Sequence, residues 1–133
     1  MTQEEKQILL KDLCARLPYK VKGVYARTDI KNMSICEITT HLYGELEESF
    51  NGKEKYEFIP YLRPMSSMTE EEKYTYRHML GATLNSEGES IMYVYVEDFP
   101  TVIDWLNAHH FDYRGLIEKG LALEAPEDMY KTE

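Results

Sequence analysis

Apolar positions along the chain switch between helical spacing and strand-like alternation, and each switch marks an expected element. Ile8, Leu9, Leu13, Cys14 and Leu17 recur on neighbouring helical turns. Thr2 and Glu5 form a capping box in front of them, so residues 3 to 16 are expected to be an amphipathic helix that Pro18 ends. Lys20 to Arg27 reads as a strand with Gly23 as a bulge, and Met33 to Tyr43 as a longer strand whose faces are both mixed. Gly44 to Lys55 is polar and acidic, with a turn at Asn51 and Gly52, and Tyr56 to Ile59 resumes as a short strand before Pro60. Residues 61 to 68 are expected to be an extended connector. Thr69 and Glu72 repeat the capping box and open a helix through Leu80, with Tyr76, Met79 and Leu80 inward and Gly81 as its stop. After a polar turn around Asn85 to Gly88, the run IMYVYV (91 to 96) is apolar or aromatic on both faces, the pattern of a central strand. Phe99, Val102, Ile103, Leu106 and His110 then follow helical spacing with Trp105 on the flank. Asp112 is placed to cap a second, short helix carrying Leu116 and Ile117 that stops at Gly120, bringing Leu121 onto Leu116.

This order predicts a single α+β domain over residues 1 to 133. Its core is expected to be a small, mostly antiparallel sheet of about four strands, approaching an SH3-like half barrel, flanked by N-terminal, middle and C-terminal helices. Antiparallel pairing follows from the connections between the strands at 20 to 27, 33 to 43 and 56 to 59, which look too short for crossover helices.

Charge narrows the class of partner. The net charge is −9, but residues 1 to 28 carry +3, while 29 to 68, 69 to 99 and 100 to 133 carry −3, −5 and −4. Most of this surface repels nucleic acid, and the basic run Lys20, Lys22, Arg27 reads as a solvated strand face. No nucleic-acid partner is expected. No apolar run approaches the length of a membrane span, and the acidic N-terminus lacks the pattern of a secretory signal, so a cytoplasmic protein without a membrane partner is expected. Cys14 and Cys36 lack metal-site spacing and read as reduced core thiols.

Candidate chemistry is sparse. His109 and His110 are adjacent on a helical pattern and point about 100° apart, so HHFD offers His109, His110 and Asp112 to one metal ion only if the helix ends between the histidines. Asp112 already has the work of a cap, and no metal site is expected. Cys36 and His41, an odd number of residues apart, fall on opposite faces of a regular strand and cannot pair for nucleophilic catalysis. Glycine-rich phosphate loops are missing, so no cofactor is expected. Glu45, Glu47 and Glu48, and Glu70, Glu71 and Glu72, read as solvated faces, the second group favouring a helix N-terminus. Eleven tyrosines against four phenylalanines point to half-exposed rings, the kind of residue enriched at interfaces.

Three long strings, MTQEEKQILLKDLCARLPY (1 to 19), YLRPMSSMTEEEK (61 to 73) and DWLNAHHFDYRGLIEKGLALEAPEDMY (104 to 130), resemble a group of short uncharacterised proteins of gut Bacteroidales genomes and prophages. Those relatives often have glycine after LPY, where this chain has Lys20. The resemblance implies a genomic context and no activity, cofactor or catalytic residue. The expected function is therefore a small non-enzymatic module that binds a protein partner through Tyr93, Tyr95, Trp105, His109 and Tyr113. The alternatives are an acidic inhibitor whose Glu45 to Glu48 and Glu70 to Glu72 imitate nucleic-acid charge, and a hydrolase using His109 or His110.

Overall fold

The structure, a computed structural model, describes residues 2–27, 32–52, 56–80, 83–84, 90–91 and 99–130. Helix α1 (Gln3–Arg16) starts where the capping box places it. The Thr2 hydroxyl accepts from the Glu5 N–H at 3.0 Å, and the Glu5 carboxylate accepts from the Thr2 N–H at 2.8 Å. Pro18 sits inside a 3-10 turn over Leu17–Tyr19, and Lys20, at a φ of 57°, turns the chain toward the sheet. Strands β1 (Lys22–Arg27) and β2 (Asn32–Glu37) then pair antiparallel. Gly23 makes no bulge. It pairs in register with Cys36 on one side and Pro60 on the other, and a Cβ there would lie 2.6 Å from the Phe58 ring and from the Ile59 carbonyl oxygen.

The strand expected over residues 33 to 43 is shorter and gives way to a helix. β2 stops at Glu37, the Thr39 hydroxyl accepts from the Leu42 N–H at 3.1 Å, and α2 (Thr40–Phe50) takes up much of the segment expected to be an acidic loop. Burial of Leu46, Ser49 and Phe50 drives this, since their spacing puts one helical stripe against the core. His41 lies on this helix, so the strand geometry that separated it from Cys36 does not apply.

A helix therefore joins β2 to β3 (Tyr56–Leu62), where a short turn was expected. β1 lies between those strands and pairs antiparallel with each, which makes β2 and β3 parallel to one another, a βαβ crossover split by a third strand. β3 continues through Pro60, and its end pairs in parallel with the C-terminal strand β6 (Leu123–Glu124). The sheet is mixed, in the linear order β2-β1-β3-β6, within the expected α+β class.

Beyond a 3-10 turn at Met65–Ser67, α3 (Glu70–Met79) repeats the capping box, with Thr69 and Glu72 exchanging bonds of 3.1 and 2.9 Å. Its expected stop, Gly81, and the turn at 85 to 88 lie outside the described residues. Short strands β4 (Thr83–Leu84) and β5 (Ser90–Ile91) pair with each other. Of the IMYVYV run, Ile91 falls in β5 and residues 92 to 96 lie outside the described residues; among the described strands β1 and β3 hold the inner places of the main sheet. Helix α4 covers Phe99–Ala108. The Asp112 carboxylate accepts from the Leu116 and Ile117 N–H groups at 2.8 and 2.9 Å, and Gly120 has a φ of 76°, so cap and stop are both present. The residues between them form consecutive turns rather than the expected second helix.

Two apolar clusters hold these layers together. Leu9 and Leu13 of α1, Leu46 and Phe50 of α2, Phe58 and Leu62 of β3, and Leu116 and Leu121 form the larger one. Met68, Val102, Leu106 and Phe111 form the smaller, with Tyr76, Met79, Leu80 and Trp105 packed on it. Cys14 is exposed and not the core thiol expected, while Cys36 is half-buried at the edge of the larger cluster, where burial pushes its thiol up. Asp12 and Arg16 take the buried face of α1 instead.

Candidate functional site

The end of β3 organises one side of the molecule. Arg63 follows directly on that strand, its N–H donates to the His110 carbonyl at 2.8 Å, and its carbonyl accepts from the Asp112 N–H at 2.8 Å. The backbone after α4 is thereby clamped to the sheet, and Phe111 is set beneath the Arg63 guanidinium, 4.2 Å from ring centre to its central carbon. Arg63 then reaches α3, giving Glu72 two parallel bonds of 2.8 and 2.7 Å. These bonds, above all, hold the Glu72 carboxyl down at about 2, and its Thr69 cap bonds act in the same direction. A carboxylate with both oxygens engaged and so low a pKa is a poor general base near neutrality.

The Arg63–Glu72 pair borders a groove of about 880 Å³. Thr69, the cap of α3, with Glu71 and Thr75 of that helix, lines one wall and residues 124 to 127 the other, with Pro64, Trp105, His109 and Tyr130 between them. Trp105 stacks on Tyr76 at 6.0 Å and on Phe111 at 5.7 Å, and meets the His109 ring at 4.5 Å. His109 Nδ1 lies 3.4 Å from Glu72 Oε2.

His110 turns the other way. Helix α4 ends at Ala108, His110 adopts a φ of 64°, and its ring stacks on Tyr130 at 3.7 Å. Burial, reinforced by the nearby Arg16 charge, lowers His110 to about 4, and burial lifts Tyr130 to about 12. The Tyr130 hydroxyl accepts from the Lys22 N–H at 2.8 Å and donates to the Tyr61 carbonyl at 2.7 Å, tying the C-terminal segment to β1 and β3. The two histidines therefore diverge, and Asp112 faces inward as a cap. No group of three His, Cys, Asp or Glu suited to a metal ion occurs among the described residues.

Of the expected contact residues, Trp105 and His109 come together in the groove, while Tyr113 sits elsewhere. The Tyr113 ring lies between the Arg16 and Arg114 guanidiniums, at 5.2 and 5.1 Å, and its hydroxyl donates to buried Asn107 at 2.9 Å. Arg16 bonds Asp12 at 2.7 Å and the Phe111 carbonyl at 2.7 Å, and Arg114 reaches Asp12 at 3.1 Å, so this cluster braces α1 against the C-terminal segment. Tyr93 and Tyr95 lie outside the described residues. Arg63 and Glu72 were missed as groove residues. Glu72 was read as a cap and as part of the acidic face Glu70 to Glu72, not as the partner of an arginine, and Arg63 lay in a stretch expected to be a connector.

The chain matches no family model, and no curated protein or solved structure shows significant similarity to it. No helix among the described residues is long and apolar enough to cross a membrane.

Proposed function

We propose that this protein is a small non-enzymatic interaction module, working in the cytoplasm of a bacterium and encoded by a prophage or mobile element, that holds a protein partner in the groove around Trp105 and His109. The observation that carries the reading is the groove itself, where an aromatic floor is fixed from below by Phe111 and from the side by the Arg63–Glu72 pair. A rigid, partly exposed aromatic surface gains affinity because little side-chain freedom is lost on binding. The acidic-inhibitor alternative is less favoured, because Glu45, Glu70 and Glu72 already bond His41, Lys73 and Arg63. The hydrolase alternative has His110 stacked on Tyr130 and His109 beside a carboxylate committed to Arg63.

Thr75→Phe fills the groove without changing charge. Affinity capture from the native host should recover a protein with the wild-type chain that the variant fails to retain. Identical sets recovered by both, or ester or phosphoester turnover that disappears in His109→Ala, contradicts the reading.

A further inference from the structure

We propose that the groove receives an extended, basic segment of the partner, with lysine or arginine head groups held between its two walls; the inference rests on the interaction reading above. Charge on the walls is lopsided. The Arg63 guanidinium is spent on Glu72 through two short bonds, so it offers little to an incoming anion. Glu71 on one wall and Glu124 and Glu127 on the other are exposed and make no ion pair among the described residues. Cationic groups entering between them gain from both sides.

The floor suits the rest of a basic side chain. Pro64 and Trp105 line it and Pro126 adds to it from the wall, apolar surface on which lysine and arginine stems lie while their heads stay near solvent and carboxylate. Space decides between an ion and a chain: about 880 Å³ is at the upper end of the roughly 300–1,000 Å³ found for ligand clefts, room for several residues in extended form. The net charge of −9 steers the same partner at longer range and repels a nucleic acid.

Trp105 is the only tryptophan, so intrinsic fluorescence of the intact chain reports the groove directly. The probe is a blocked nine-residue peptide with alternating lysine and arginine spaced by serine, run beside glutamine-substituted and glutamate-substituted versions and spermidine. A saturable change is expected with the basic peptide alone. It should weaken about tenfold between roughly 50 and 500 mM salt, and about tenfold in Glu71→Gln/Glu124→Gln/Glu127→Gln, whose near-ultraviolet dichroism stays that of the wild type. Equal binding of the glutamine peptide overturns the charge assignment while leaving the interaction reading intact. Spermidine matching the peptide overturns the extended segment. No response to any peptide overturns the proposal, and the Thr75→Phe capture then judges the interaction reading alone.

Discussion

At the scale of single residues, the least replaceable group is the Asp12 carboxylate. Both Asp12 and Arg16 are fully buried, and Asp12 pairs with two guanidiniums, Arg16 and Arg114. Removing one member of a buried ion pair strands the other, at a cost of about 3–5 kcal/mol. Asp12→Asn should therefore lower the urea midpoint by the equivalent of about 3 kcal/mol. A change below about 0.5 kcal/mol, the range of an inert surface substitution, contradicts the bracing role. The pair was legible only as an i, i+4 spacing that reads as surface helix charge; its burial comes from Phe111 and Tyr113, far along the chain. His110 gives a second residue-level prediction. Its pKa is about 4 folded against about 6.5 unfolded, so below pH 6.5 the unfolded chain takes the proton first and stability falls until pH 4 is passed. That slope, worth roughly 2 kcal/mol, should be missing in His110→Asn, which keeps a residue tolerant of positive φ. An unchanged slope in equilibrium unfolding across that window points to another group.

Among the elements, the sheet depends on Gly23. The position is crossed by the Phe58 ring and is tied to strands on both sides, so Gly23→Ala must relieve overlap with both the ring and the Ile59 carbonyl. The expected cost is about 1–3 kcal/mol, the range for overfilled cores, read as a drop in thermal midpoint. A midpoint equal to wild type contradicts the register. The elements that could be read directly are those whose signals are local. Thr2 with Glu5 and Thr69 with Glu72 announce α1 and α3 within four residues of chain. α2 escaped because Ile35 and Ile38 continue a strand-like pattern up to the cap, and Thr39 has Leu42, not Glu, three residues on. Missing α2 turned the β2–β3 crossover into an apparent hairpin, and the parallel β3–β6 pairing depends on residues 62 places apart in sequence, beyond any local signal. The Asp112 cap and Gly120 stop were legible, yet the chain between them settles into turns because Asp112 holds it from both carboxylate oxygens.

Over the whole molecule, the two apolar clusters share one scaffold and separate the work. The larger joins α1, α2 and the sheet, and the smaller supports the groove through Phe111 and Trp105. The groove was half visible in the sequence. Trp105 and His109 were singled out as contact residues, but the walls come from α3 and from residues 124 to 127, which only the β3–β6 pairing and the Arg63 clamp bring opposite each other. Acidic charge concentrates after residue 28, and the groove faces solvent with that bias. The most direct measurement is an amide chemical-shift map of the intact chain during titration with the basic peptide. Changes should gather at Thr69 to Thr75, at Trp105 and His109, and at residues 124 to 127; changes centred on β2 or α2, with the groove resonances still, would contradict the account.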